Sequence, residues 1–229
     1  MPPPADRTEG IAAVIFDLDG VLVDSEAVWD EVRRRFAEQT GGRWHENAQR
    51  DMMGMSSVEW SRYMHDQLGV PLPPEEVNRQ VADRVADLYR ERVPLLPGAV
   101  EAVRSLAAEW PLGLASSSNR HIIDLVLDLA GIADCFQATV SSEEVERGKP
   151  APDVYLDAAG RLGVDPKSCA AVEDSTNGIR SAHAAGMAVV AVPNRDFPPE
   201  PEALDLAAAT LGSLTDLTPD LVRGLAPAN

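Results

Sequence analysis

The 229-residue chain is poor in cysteine, with only Cys135 and Cys169, far apart in sequence and at no metal-binding spacing. Two free, buried thiols in a reducing cytoplasm are expected. Basic residues are also scarce: 20 Lys and Arg against 37 Asp and Glu leave a net charge of −17. That excludes a nucleic-acid binder, whose affinity needs a basic surface to displace counterions. No stretch approaches the ~20 apolar residues of a membrane span. The first ten residues are Pro-rich with two acids and lack the basic-then-apolar order of a signal peptide. The four histidines (His45, His65, His121, His183) have no metal spacing.

What remains is an ordinary globular composition, 45% hydrophobic and 25% charged. The acidic balance does not exclude a small phosphorylated metabolite as partner. A metal and one lysine can make a site locally positive inside an acidic protein. A monomer with a mobile lid is expected.

Ile11–Phe16 is a short apolar run, as a strand buried on both faces would be. Helical spacing then dominates from about Val28 to Arg92. One helix turns Trp29, Val32, Phe36 and Ala37 inward, and a second carries Val58, Tyr63, Met64 and Leu68. A third starts at Pro74 with Glu75 and Glu76 in its first turn, and points Val77, Val81, Val85, Leu88 and Tyr89 inward. From Pro97 strands and helices alternate: helix 98–109, strand 112–115, helix 119–130, strand 136–140, helix 151–162, strand 170–172, helix 176–185 and strand 188–192. Alternation implies a parallel sheet with right-handed crossovers. The predicted fold is therefore an α/β, Rossmann-like parallel sheet with helices on both faces. Residues 1–24 and 93–229 form the core, and residues 25–92 an inserted all-helical cap. Pro198–Pro201 reads as a surface loop.

Ligands of open parallel sheets bind at the carboxyl ends of the strands. The polar clusters fall there: Asp17-Leu18-Asp19-Gly20, Ser116-Ser117-Ser118-Asn119, Lys149-Pro150, and Glu173-Asp174-Ser175. Such a set suits phosphoryl transfer, which needs an in-line nucleophile and cations near the phosphate. Asp17 is the candidate nucleophile, giving an aspartyl-phosphate. Asp19 is placed to protonate the leaving oxygen and then activate water. Asp17 and Asp174 offer hard oxygen ligands for Mg²⁺. Ser116 and Lys149 are phosphate-binding candidates.

These stretches also carry a family resemblance. Phe16–Glu26, Leu114–Ser118, Gly148–Asp153 and Val172–Gly178 resemble, in order and at family-like spacing, the four motifs of the haloacid dehalogenase-like hydrolases. The helical insertion after the first motif is similar to the cap of the subgroup containing β-phosphoglucomutase and phosphoglycolate-type phosphatases. The resemblance implies that Asp19 lends its backbone carbonyl to the metal, that the Ser117 N–H helps hold phosphate, and that Glu173 lies in or near the metal shell. The expected activity is hydrolysis of a small phosphomonoester. A sugar phosphomutase is the alternative, although Ser25 and Trp29 stand where mutases typically carry Thr and His, and the cap lacks a Gly-x-x-Arg-x-x-Ser match. A non-catalytic phosphate-ligand binder is a further alternative.

Other positions have more than one reading. Asp24, Ser25 and Glu26 suit a helix cap, and Glu26 also a substrate-facing role. Ser118 and Asn119 suit a helix cap. Arg120 suits the surface. Met52, Met53 and Met55 suit either core or a lid loop facing the substrate.

Overall fold

A computed structural model describes residues 10–53, 55–195 and 197–226. Six parallel strands form one sheet: β1 (Ala13–Phe16), β2 (Leu112–Ser116), β3 (Phe136–Ser141), β4 (Cys169–Glu173), β5 (Ala188–Ala191) and β6 (Ala209–Thr210). Their order is β3-β2-β1-β4-β5-β6. The chain thus builds outward from β1 on one side, then returns to β1 and builds outward on the other. β1 pairs with both β2 and β4, which puts the reversal of strand order at the β1/β4 boundary. That boundary is where an open parallel sheet leaves a crevice for ligands.

β1 is buried on both faces, as its apolar run requires. Val14 and Phe16 pack into one core with Val103 and Leu106 of α5 (Ala99–Ala107) and Ile122, Ile123 and Val126 of α6 (Arg120–Ala130). Ala13 and Ile15 point the other way. They pack with Val154, Tyr155 and Ala158 of α7 (Asp153–Leu162), and with Ile179 and Ala182 of α8 (Thr176–Ala184). The period-2 alternation of a strand therefore feeds two helical layers from one four-residue segment. Two short helices near the C-terminus, α9 (Pro201–Leu204) and α10 (Pro219–Arg223), complete this layer structure.

Between β1 and α5 the chain is helical: α1 (Glu26–Thr40), α2 (Ala48–Met52), α3 (Ser57–Asp66) and α4 (Pro74–Glu91). α1 stops at Gly41, whose φ of 89° is the left-handed conformation that glycine tolerates best. α3 opens with a capping box, in which Ser56 and Glu59 satisfy each other's backbone N–H groups. The inward face of α3 is Ser57, Trp60, Ser61 and Met64, so Val58, one of the apolar residues that marked this helix, is 52% exposed. Leu88 at the end of α4 is likewise exposed, because the buried stripe runs through Val77, Val81, Val85 and Tyr89 with Ala82 and Ala86 beside it. Cys169 is buried, but Cys135 is only half-buried. Among the described residues no helix is long and apolar enough to cross a membrane.

Candidate active site

β1 ends at Phe16, and the next residue, Asp17, takes a backbone bond from its N–H to the Val172 carbonyl of β4. The β1 and β4 loops are thereby locked side by side. Asp17, Glu173 and Asp174 each offer a carboxylate oxygen within 4.8 Å of the others, and all three are buried. Lys149 reaches into the same place from the loop before α7. Its Nζ lies 2.9 Å from Asp17 Oδ1 and 2.7 Å from Glu173 Oε1. The contact with Asp17 is an ion pair off the hydrogen-bond direction, so Oδ1 receives no aligned donor.

Three carboxylates share one ammonium in a buried space, so full ionisation would leave two negative charges uncompensated. Burial is the main reason the Asp17 carboxyl is pushed up to about 8, with Lys149 opposing and Glu173 adding to the rise. Asp174 is raised by burial and then by Glu173 and Asp17. Desolvation pulls the Lys149 ammonium down, yet Asp17 and Glu173 outweigh it and hold it above its usual range. The residues present fit a hard divalent cation: the charge deficit is two, the donors are oxygens, and one buried oxygen has no aligned partner.

Glu173 has a different job from its neighbours. Oε1 accepts from Lys149 and from Tyr155 Oη at 2.7 Å, while Oε2 accepts from the backbone N–H of Asp174 at 3.0 Å. Its carboxylate is consumed inside the protein and lies behind the ligand set, where it fixes Lys149. Two glycines allow this packing. A Cβ on Gly178 would sit 1.9 Å from the Glu173 carboxyl carbon, and one on Gly20 would sit 2.0 Å from Asp174 Oδ2. Gly178→Ala must displace the Glu173 carboxylate. A destabilisation of about 1–3 kcal/mol is expected from overpacking, read as a fall in Tm of about 2–4 °C per kcal/mol for a chain of this size. An unchanged melting curve would contradict this close approach.

Asp19 is half-buried on the turn closed by Gly20, whose φ is 77°. Its Oδ2 accepts a 2.6 Å bond from Ser118 Oγ, and Ser116 Oγ lies 3.5 Å away. Ser116 is fully buried at the end of β2, and its Oγ accepts from the Ser118 N–H at 3.0 Å. Ser117 and Ser118 line the cavity itself. Ser118 is thus tied to Asp19 rather than acting as a helix cap. Asn119 makes no cap bond either, and its amide donates to Asn78 Oδ1 and Glu143 Oε1 at 2.9 and 2.7 Å. Arg120 lies at the half-exposed start of α6, pairing with Asp124 and Glu144.

A cavity of about 620 Å³ opens over these groups and runs between the strand ends and the α1–α3 region. Ser25 makes no side-chain cap bond to α1, and Glu26 faces the cavity, held by Gln49 Nε2 at 2.8 Å. Met52, Met53 and Met55 line it together with Trp29, Arg33 and Trp60. Pro198 and Pro199 form part of the wall, Pro199 being buried, and Pro201 opens α9; this stretch is more than a surface loop. Sequence reasoning missed Tyr155, Ser118, Trp60 and Arg33. The one available signal was for Arg33, which occupies the i+4 place of the buried stripe Trp29, Val32, Phe36, Ala37.

Acids ending two neighbouring strands, with a buried lysine beside them, form in this α/β fold a buried acidic cluster able to hold a metal ion. The chain belongs to the haloacid dehalogenase-like hydrolases, whose family model matches residues 11–186. It is 40% identical over 213 residues to hexitol phosphatase B of Escherichia coli (strain K12), covering 91% of this chain and 95% of that one. Among solved structures it resembles β-phosphoglucomutase from Clostridium difficile, with a TM-score of 0.79, 25% identity, and 93% and 95% of the two chains covered. It is also similar to CbbY from Rhodobacter sphaeroides in complex with phosphate, with a TM-score of 0.80, 25% identity, and 90% and 96% covered.

Proposed function

We propose that this protein is a Mg²⁺-dependent phosphatase that hydrolyses a small organic phosphomonoester through an aspartyl-phosphate on Asp17. The observation that carries the reading is the buried cluster of Asp17, Glu173 and Asp174 around a single lysine. Asp17, Asp174 and the Asp19 backbone carbonyl would hold the ion, which when bound supplies neutralising charge to the phosphoryl oxygens. Lys149, fixed by Glu173, and the Ser116 hydroxyl and Ser117 N–H would hold the phosphate. Asp17 attacks phosphorus in line, and the P–O bond to the alcohol breaks. Asp19, oriented by Ser118, gives its proton to the departing oxygen. It then takes a proton from the water that attacks the aspartyl-phosphate, releasing inorganic phosphate and restoring Asp17. The helices between residues 25 and 92 act as a lid that excludes bulk water during this sequence. The bond from Asn119 to Asn78 ties the start of α6 to α4 of that helical block. The hexitol phosphatase relative supports a hydrolase acting on a phosphorylated small molecule.

The deciding assay is phosphate release from a panel of phosphomonoesters with Mg²⁺ or with chelator, including β-glucose 1-phosphate with a readout for glucose 6-phosphate. Release that requires Mg²⁺ is expected. Isomerisation of the sugar phosphate without release would replace the hydrolase by a mutase. The raised carboxyls also set a pH dependence. Asp17 and Asp174 hold protons in the metal-free protein that a cation must displace, so apparent Mg²⁺ affinity rises with pH towards about 8. Half-saturation at about pH 6 should need at least about tenfold more Mg²⁺ than at about pH 8. A flat profile would contradict the proposed ligand set.

A further inference from the structure

Arg33 is a buried cation with no ion-pair partner among the described residues. It is 7% exposed, and its guanidinium carbon lies 4.8 Å from the Trp29 ring centre and 4.7 Å from that of Trp60. The two indoles are themselves 5.9 Å apart and tilted by 58°, so the guanidinium sits at the apex of a triangle, against both rings. Among the described residues no carboxylate oxygen comes within 4.0 Å of it, and its Nε is buried with no hydrogen-bond partner. Burial of an unpaired charge is strongly unfavourable. Cation–π contact offsets part of that cost but leaves the buried Nε–H unpaired. Arg33, Trp29 and Trp60 all line the cavity that holds Asp17. So does Glu26, the strongest favourable charge acting on Arg33 although outside ion-pair reach. Gln49, which donates to Glu26, keeps its own buried Oε1 unpartnered.

We propose that Arg33 determines specificity by binding the non-reacting end of the substrate, and that this end is polyhydroxylated, as in a sugar or polyol phosphate. The inference rests on the phosphatase reading and deepens it. An apolar tail would leave the guanidinium as bare as it is now. A second phosphate would gain Arg33 but would be set against the Glu26 carboxylate in the same cavity. A hydroxyl both donates and accepts, so it satisfies the Arg33 donors and the Glu26 acceptor together.

The test compares glucose 6-phosphate and sorbitol 6-phosphate with hydroxyl-free phenyl phosphate and with a hexose bisphosphate. The proteins are the parent, Arg33→Met and Arg33→Lys; the lysine variant keeps the charge against the indoles should the methionine variant fold poorly. The ratio of kcat/KM for the polyhydroxylated esters to that for phenyl phosphate is expected to fall about 10- to 100-fold in Arg33→Met, mainly through KM. Arg33→Lys should recover only part of it, because the planar fork is lost. Binding is followed separately by tryptophan fluorescence in an Asp17→Asn background, where Arg33→Met should weaken the sorbitol 6-phosphate titration by the same factor. An unchanged ratio would overturn the inference. So would a preference for the bisphosphate that depends on Arg33. A parent protein that releases no phosphate from any ester would overturn the phosphatase reading alone, and the fluorescence titration would still decide the role of Arg33.

Discussion

Asp17→Asn is expected to lower phosphate release by at least about 10⁴-fold, as removal of a nucleophile does where no other group can replace it. The amide matches the carboxylate in shape, so the β1 loop and its bond to Val172 should survive. The charge change acts on stability in the opposite direction. Without metal, the Asp17 carboxyl titrates near 8 in the folded protein against 3.8 as the ordinary value. The folded state therefore binds more protons than the unfolded state between those values. Stability of the metal-free parent falls as pH rises through that window. The asparagine variant lacks this contribution. In chelator, its melting temperature should lose less than the parent's between about pH 5 and pH 8. Dead enzyme with a melting curve less sensitive to alkali is the expected pair of results. Residual turnover above about one hundredth of the parent's would remove Asp17 from the chemistry, since nucleophile loss costs far more than that.

The parts of this site that were legible from sequence are those written in local chain chemistry. Apolar runs such as Ala13–Phe16 and residues 170–172 stop at polar clusters, and parallel sheets place such stops on one edge. Asp17, Asp19, Glu173 and Asp174 are brought together in this way, and Lys149 joins them from the loop before α7. The strand order was not legible, because nothing in the Ala- and Val-rich strands β4 and β5 says which neighbour each will find. Contacts across the fold were equally hidden. Tyr155 reads as an ordinary inward residue of α7 until β4 puts Glu173 2.7 Å from its hydroxyl. Ser118 is one of three serines in a row, and only the β2–α6 turn decides which reaches Asp19. In α3 the apolar count misplaced the inner face, because two buried positions, Ser57 and Ser61, are small and polar. Arg33 stands first in an Arg-Arg-Arg run whose residue types do not tell its members apart. Helix phase alone separates it from its neighbours: Arg33 is buried beside two indoles, while Arg34 and Arg35 pair with Glu31 at the surface.

Lys149→Met is expected to be the most destabilising change at the site, and the reason is Glu173. The lysine side chain is 3% exposed and the glutamate side chain 0%. Without the ammonium, Glu173 keeps only the Tyr155 hydroxyl, the Ser175 hydroxyl and backbone N–H groups against full burial. Breaking a buried pair by removing one partner costs about 3–5 kcal/mol, which for a chain of this size lowers Tm by roughly 6–20 °C. Glu173→Gln in the same chain removes the stranded charge, so the double variant should melt well above Lys149→Met alone. Activity should not return with it, because the charge that Lys149 presents near Asp17 is still missing. Stability and turnover are thereby separated: the first depends on Lys149 and Glu173 cancelling each other, the second on the 2.9 Å approach of Lys149 to Asp17. A double variant no more stable than the single one would mean that Glu173 is stabilised by its backbone donors and Tyr155 alone. The lysine would then be held in place for the substrate rather than for the fold.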